Sequence, residues 1–414
     1  MHYLVIGAGP AGVTAAETLA KTDPRGEITL LRGEPGVPYA RMAIPYLLSG
    51  RIQESGTHIR PDPGHYARCG IRVLEGRAQS VDPLARRVTL ADGRSLDYDR
   101  LLVATGSTPA LQKIPGIDLP GVRTCWTLED ARFLLEQARP GLQVVQMGAG
   151  FVGCIIMQGL VSLGVDLTIL VRSGRMVSRM MNPASSGMIR TWCEAKGVHI
   201  RVDTLPEAIT LDQERLRVHL GGGESLPADL YLCLVGVNPA LGFLAGSGVA
   251  SGTGILVDDT MQTSVPGIYA CGDVAEFRDC LTGKSAVNAI QPNAVEQGRI
   301  AALNMAGRRA TSRGSFAFNV LDTLGLISCS FGSWQGEPGG EHVEVSDPAR
   351  FRYLRLEFQG DRLVGANTVG LTEHSGVLRG LIEGKVALGP WKQRLLRDPT
   401  QLMQAYLACS QKLA

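Results

Sequence analysis

The sequence predicts an α/β fold that contains two copies of one strand, glycine-rich turn and helix unit. A short apolar run, Tyr3 to Ile6, leads into Gly7-Ala8-Gly9-Pro10-Ala11-Gly12, and apolar residues at helical spacing follow from Val13 to Ala20. The succession returns at Val144-Val145-Gln146-Met147, then Gly148-Ala149-Gly150-Phe151-Val152-Gly153 and a helical stretch to Leu163. Composition allows such a fold. At 414 residues, and at about 150 residues per domain, two or three domains are expected. Apolar residues make up 44% and charged residues 19%, which supports a core and excludes wholesale disorder.

Each element of the first copy has a physical reason. Gly7 permits the tight turn out of the strand. Gly9 lets a pyrophosphate approach the backbone, and Gly12 lets the helix pack close to the strand. The helix N-terminus then faces the phosphates. A second apolar run, Ile28 to Leu31, follows the turn Asp23-Pro24-Arg25-Gly26. In such units a strand-end carboxylate binds a ribose hydroxyl. Glu34, in Leu31-Arg32-Gly33-Glu34-Pro35, is the candidate.

In the second copy, a strand from Asp166 to Val171 completes the unit. Its end reads Val171-Arg172-Ser173-Gly174-Arg175, with no carboxylate. Arg172 and Arg175 could pair with a ribose 2′-phosphate, or could be solvated surface charge. The missing carboxylate favours NADPH over NADH as the nucleotide expected there. Two complete fingerprints imply two bound dinucleotides.

Other features exclude functions. The formal net charge of +2 and the lack of a basic stripe with interleaved aromatics argue against a nucleic-acid partner. No run approaches the roughly 18 apolar residues of a membrane span, and Leu230 to Val237 is expected to be a buried strand. The N-terminus shows no basic lead-in or cleavage site, so no signal peptide is expected. Nine cysteines, at Cys69, Cys125, Cys154, Cys193, Cys233, Cys271, Cys280, Cys329 and Cys409, include no CxxC pair. That argues against a disulfide framework or a zinc ribbon and for a reducing cytoplasm. No metal site is expected.

Four further segments carry a resemblance: Leu101-Leu102-Val103-Ala104-Thr105-Gly106-Ser107-Thr108-Pro109, Leu234-Val235-Gly236-Val237-Asn238-Pro239, Thr263 to Asp273 ending Ala270-Cys271-Gly272-Asp273, and Pro292-Asn293-Ala294-Val295-Glu296-Gln297-Gly298. With the two fingerprints they resemble the FAD-dependent pyridine nucleotide-disulfide oxidoreductase superfamily over about the first 310 residues. Within it the chain is most similar to ferredoxin and rubredoxin reductases and to the flavin module of assimilatory nitrite reductases. The resemblance implies two Rossmann-like, three-layer ββα domains, the second inserted in the first, plus a C-terminal α+β domain. The expected division is 1–111 and 244–315 for FAD, 112–243 for NAD(P), and 316–414 for the interface or dimerisation domain.

The resemblance also implies site residues. For FAD these are Gly7, Gly9, Pro10, Ala11, Gly12, Glu34, Arg41, Ala104, Thr105, Gly106, Gly272, Asp273, Asn293 and Ala294. Among them Arg41 would contact phosphate, Asp273 a ribityl hydroxyl, and the helix beginning near Asn293 the flavin pyrimidine. For NAD(P) they are Gly148, Gly150, Phe151, Val152, Gly153, Arg172, Arg175 and Gly236.

Departures from the family narrow the chemistry. There is no CxxxxC pair, and Met42, in Arg41-Met42-Ala43-Ile44-Pro45-Tyr46, stands where other branches carry one redox cysteine. A thioether forms neither a thiolate nor a mixed disulfide, so thiol chemistry is disfavoured. Tyr46 and Ile155 stand where ferredoxin reductases carry a lysine and a glutamate that orient flavin and nicotinamide.

Past Phe316 the pattern changes. Tyr353 to Phe358 alternates, and Gln359-Gly360-Asp361-Arg362 turns into Leu363-Val364-Gly365-Ala366, which predicts an antiparallel hairpin. Ser375 is expected to cap a helix that turns Val377, Leu378, Leu381 and Ile382 to the core. His374 could reach the flavin or a partner, or be structural. Arg308, Arg309 and Arg313 could steer an acidic ferredoxin, or be a solvated charge run.

The expected function is a cytoplasmic FAD-dependent NAD(P)H oxidoreductase. It would pass electrons to an iron–sulfur or rubredoxin-like carrier or to a partner subunit, and could form a homodimer. The catalytic work belongs to the flavin rather than to a side chain. The alternatives are an NAD(P)H oxidase and a flavin-binding subunit of a larger redox complex.

Overall fold

The structure, a computed structural model, describes residues 1–410. The chain divides into two compact units. One comprises Met1–Ile44, Ile52–Thr108 and Val237–Phe316; the other comprises Pro45–Arg51, Pro109–Gly236 and the residues from Ala317 onward. The second glycine fingerprint therefore lies in a stretch that interrupts the first unit.

The first unit is built on a parallel sheet with strand order Ile268–Ala270, Arg100–Val103, His2–Ile6, Glu27–Arg32, Ile71–Glu75. The strand His2–Ile6 sits in the middle, with Ile6 level with Leu31 on one side and Val103 on the other. It is flanked on both faces, so it reads as a continuous apolar run rather than an alternating one. Tyr3, Leu4, Val5 and Ile6 are all buried. The helix Pro10–Thr22 opens with proline in its first turn, where no intrahelical N–H is lost. It buries Val13, Ala15, Ala16 and Leu19. It packs against the helix Gln291–Met305 through Gly298, where an added Cβ would strike the Ala11 backbone. A three-stranded antiparallel meander, Ala78–Asp82, Arg87–Leu90 and Ser95–Asp97, joins the unit.

The second unit repeats this plan. Its parallel sheet runs His199–Val202, Asp166–Val171, Gln143–Met147, Leu230–Cys233, Val122–Arg123, again with the pre-glycine strand in the middle. Met147 is level with Leu170 and Cys233. A meander of Pro206–Asp212, Arg215–Leu220 and Ser225–Ala228 accompanies it. The apolar run expected to form one strand to Val237 stops at Cys233, and the chain re-enters a strand at Val237–Pro239. The break has a reason. Gly236 adopts φ +121°, and the Leu234 carbonyl lies where a Cβ on Gly148 would go.

The same unit contains a five-stranded antiparallel sheet, in the order Phe318–Thr323, Leu326–Gly332, Arg362–Val369, Arg352–Gln359, Glu341–Asp347. The expected hairpin pairs Gln359 with Arg362 around Gly360 and Asp361. Asn367, fully buried in this sheet, accepts from the Asn182 N–H at 3.0 Å and donates to the Met180 carbonyl at 3.1 Å. Asn182 also caps the helix Pro183–Ala195 and donates to the Tyr353 hydroxyl at 2.6 Å. The last expected helix, Ser375–Glu383, buries Leu378, Leu381 and Ile382. Ser375 is its first residue rather than its cap, because its hydroxyl donates back to the Thr372 carbonyl; His374 holds the cap position. Val377 is only half-buried.

Among the described residues no helix is long and apolar enough to cross a membrane. Nor does any group of three or more His, Cys, Asp or Glu come together as a metal site.

Candidate nucleotide-binding loops

The two glycine loops have nearly the same backbone. Gly7 has φ +111° and Gly148 has φ +108°. Gly9 and Gly150 cap the following helices at φ −79°, ψ −175° and φ −78°, ψ −168°. A Cβ on Gly7 would run into the Ala104 carbonyl, and one on Gly148 into the Leu234 carbonyl. Gly12 and Gly153 face the carbonyls of Gly7 and Gly148 just as tightly. At these four positions the protein itself demands glycine. Gly9 and Gly150 differ: a Cβ there meets nothing within 4 Å. Neither helix has a side-chain cap. Each loop therefore leaves an open approach to uncapped helix amides, the setting that favours a phosphate.

The structure gathers the first set of site residues around the first loop. Ala104 donates its N–H to the Ile6 carbonyl at 2.7 Å, which brings Ala104-Thr105-Gly106 alongside Gly7. Gly106 has φ +66°, and the Thr105 hydroxyl donates to the Ala240 carbonyl at 3.2 Å. Gly272, at φ +76°, sits against Ala11 and Ala294, with room for a Cβ only 3.2 Å and 3.6 Å from theirs. Pro10 opens the helix. Burial pushes the Asp273 carboxyl above the ordinary range, while a hydrogen bond from Ser107 and the charge of Arg41 work against that rise.

Three placements change the picture drawn from sequence. Glu34 and Arg41 were expected to hold different parts of a nucleotide. In the structure they form an ion pair, and Tyr39 donates its hydroxyl to the other Glu34 oxygen. Asn293 spends its amide on the carbonyls of Asn288 and Phe316, each at 3.2 Å, and its helix starts two residues earlier, at Gln291. Sequence reasoning also missed Gln297, whose buried side chain accepts from the Gly272 N–H at 2.9 Å and sets the turn before Asp273. Gln297 lies in the Pro292 to Gly298 segment that carries the resemblance, and that membership was the signal available.

In the second unit, Phe151 and Val152 form the first turn of the helix Phe151–Ser162, and Gly236 stands open, with nothing within 4 Å of an added Cβ. Arg172 is exposed. Arg175 is half-buried, and its Nε is buried without a partner. It lines a cavity of about 470 Å³ with Ser173, Ser178, Ser186 and Arg190, and no carboxylate lines it. Ile155 is half-buried on the same helix, and Tyr46 is 49% exposed.

The cysteines offer no redox pair. None of the nine forms a disulfide, and burial pushes the Cys125, Cys154 and Cys271 thiols well above the usual range and Cys193 to about 12. Met42 is 48% exposed.

Two parallel sheets, each with a helix springing from a glycine turn at its central strand, define a protein that handles two dinucleotides. The model of the pyridine nucleotide-disulphide oxidoreductase family matches residues 1–298, and the chain belongs to that family. It is an oxidoreductase, of a family that works with FAD and NADH or NADPH. Its relatives include the epsilon subunit of an NADH-dependent phenylglyoxylate dehydrogenase from Aromatoleum evansii, 32% identical over 96% of this chain and 95% of that one. A rubredoxin-NAD(+) reductase from Ectopseudomonas oleovorans is 28% identical over 92% of this chain and 99% of its own length. Among solved structures, the covalent putidaredoxin reductase–putidaredoxin complex matches with TM-score 0.89 and 25% identity, over 99% of both chains.

Proposed function

We propose that this chain draws electrons from NAD(P)H into FAD and hands them to a separate protein carrier or partner subunit. One observation carries the proposal: the same open-topped glycine loop occurs twice, once in each unit, with no cysteine at the Met42 position to receive electrons within the chain. The first loop fits FAD. Its cradle is open at Gly9, and a poorly solvated carboxylate at Asp273 is suited to accept from a ligand hydroxyl. Gly7, Gly9, Gly12 and the first turn at Pro10 and Ala11 would hold the pyrophosphate. Asp273 would accept from the ribityl chain. Arg41 would reach phosphate, with Glu34 holding its guanidinium. Ala104-Thr105-Gly106 and Gly272 would form the walls, and Ala294 the first turns of the helix behind them.

When bound, FAD supplies the redox chemistry, taking up an electron pair and releasing electrons singly. The second loop, with Gly148, Gly150, Gly153, Phe151, Val152 and Gly236, would seat the pyridine nucleotide. The arginine-lined cavity beside Arg175 supports NADPH, while the name of the Aromatoleum evansii relative carries NADH. The proposed parts are 1–111 with 244–315 for FAD, 112–243 for NAD(P) and 316–414 as an interface domain. Nine cysteines without a disulfide among them support a cytoplasmic location.

The test is anaerobic titration of the purified protein with NADPH and with NADH, followed by addition of oxidised rubredoxin or ferredoxin. Loss of the flavin absorbance and its recovery on adding carrier are expected. No loss with either nucleotide would overturn the proposal. A second reading, a flavin-bearing subunit active only in a complex, is favoured by the subunit name of that near-full-length relative. Copurification of a stable partner without free-standing carrier reduction would select it.

A further inference from the structure

The two loops share a backbone but differ beneath it. Val5 underlies the first: its Cγ1 lies 3.3 Å from the Cβ position of Gly12. Gln146 underlies the second, and its Nε2 lies 3.1 Å from the Cβ position of Gly153. These are equivalent places, two residues before the first glycine of each fingerprint. Where the first loop has an apolar branch, the second has a primary amide with no exposed surface. That amide donates twice, to the Gly148 carbonyl at 2.8 Å and to the Gly153 carbonyl at 3.1 Å. Its Oε1 is buried and has no hydrogen-bond partner. A second equivalent pair behaves alike. Val13 in the first helix corresponds to Cys154 in the second, whose thiol donates to the Ala149 carbonyl at 3.6 Å. Two carbonyls of the second loop, at Gly148 and Ala149, and one in the first turn of its helix, at Gly153, are thus held by side-chain donors that the first unit lacks.

A buried amide with an unpaired oxygen is disfavoured over the valine that serves the same place in the same chain. Its gain must lie in what its two N–H bonds do. An anion is attracted to loop N–H groups and repelled by loop carbonyl oxygens. Donors from below fix the Gly148 and Ala149 carbonyls away from the open side at Gly150, which leaves the N–H groups of those two peptides, at Ala149 and Gly150, turned toward it; the N–H of the third, at Cys154, is taken by the Gly150 carbonyl at 2.9 Å. We infer that Gln146 is a positioning residue for the pyridine nucleotide: it orients the Gly148–Gly153 loop for a pyrophosphate. The inference rests on the proposed nucleotide site in the second unit.

The test compares the FAD-loaded protein with its Gln146→Val and Gln146→Met variants. The first restores the residue of the other loop, and the second keeps the length without the donor. Binding of NADPH and of NADH is measured by calorimetry, and thermal melting is recorded beside it. Both variants are expected to bind either nucleotide about tenfold more weakly, the scale of one oriented hydrogen bond. The loss should fall on KM rather than kcat, and the melting temperature should hold or rise because an unpaired buried oxygen has gone. Unchanged affinity in either folded variant would overturn the inference. So would weaker binding that comes with a matching fall in melting temperature, since that marks a structural role. If the unaltered protein binds neither nucleotide, the proposed site itself fails, and the inference with it.

Discussion

The Ser107 hydroxyl donates to the Asp273 carboxylate across 3.4 Å, joining two segments that lie 166 residues apart in sequence. The bond is long and the carboxylate is poorly solvated, so burial dominates and raises the Asp273 pKa. A raised folded pKa means that this group's contribution to stability is fully present below its unfolded value, about 3.9, and is lost as pH rises through the folded value. In FAD-free protein, Asp273→Asn is therefore expected to remove a loss of melting temperature between acid and neutral pH. The same variant should hold FAD about ten- to a hundredfold more weakly, for a lost charged hydrogen bond of roughly 1.5–3 kcal/mol. Thermal melts across pH and flavin release on dilution check the two halves. A steeper pH dependence in the variant would refute the first.

Glu17 shows the opposite sign. Burial opposes its ionised form, yet hydrogen bonds from Arg60 and His65, at 2.6 Å and 2.8 Å, more than offset that and lower its pKa. Its contribution is present above the unfolded value of about 4.3 and is lost as pH falls through the folded one. Glu17→Gln is expected to lower stability at neutral pH by about 1–3 kcal/mol and to change little once the acid form prevails. Denaturant unfolding at neutral and at acid pH gives both numbers.

The glycines separate what the fold requires from what a ligand requires. Gly7→Ala is expected to misfold or to lose FAD, since its Cβ would strike the Ala104 carbonyl at a φ of +111°. Gly9→Ala and Gly150→Ala meet no protein atom within 4 Å. Both should fold with near-normal melting temperatures. Gly9→Ala should weaken FAD alone and Gly150→Ala the pyridine nucleotide alone, each by about tenfold or more. Calorimetry with each ligand on each variant makes the comparison. Equal affinity in both variants would mean that phosphates do not approach over these residues.

Much of this was legible in sequence because it is local. A glycine at a positive φ, flanked by an apolar run and a helical pattern, is a property of a dozen neighbouring residues, and Asp166–Val171 fell within its expected bounds. Met42 was legible because an absent thiol needs no coordinates. Contacts across long separations were not legible. Gln146 looks like one polar residue in an apolar strand until the carbonyls of Gly148 and Gly153 fold over it. Glu34 and Arg41 each fit a ligand role taken singly, and only the chain's turn at Tyr39 brings them together. The run Leu230 to Val237 has the composition of one strand, but the turn opposite Gly148 divides it. No property of those eight residues announces that partner.

The cavity beside Arg175 makes nucleotide choice testable residue by residue. A ribose 2′-phosphate carries a charge that a strand-end carboxylate repels and a guanidinium welcomes. Arg190 already pairs with Glu194 at 2.8 Å one helical turn away, so part of its charge is taken up. Arg175 has a buried Nε without a partner, and so has the most to gain from an anion. Arg172 is exposed, and an exposed ion pair contributes little, about 1 kcal/mol or less. Arg175→Ala is therefore expected to lower kcat/KM for NADPH about ten- to a hundredfold while changing that for NADH by no more than about twofold. Arg172→Ala should lower the NADPH value only about two- to fivefold. Calorimetric binding of 2′,5′-ADP and of 5′-AMP to the same proteins removes any effect on hydride transfer. Loss of 2′,5′-ADP binding with 5′-AMP unchanged is the expected pattern. Equal binding of the two fragments to the unaltered protein would show that the cavity does not select a 2′-phosphate, and would overturn its assignment to NADPH.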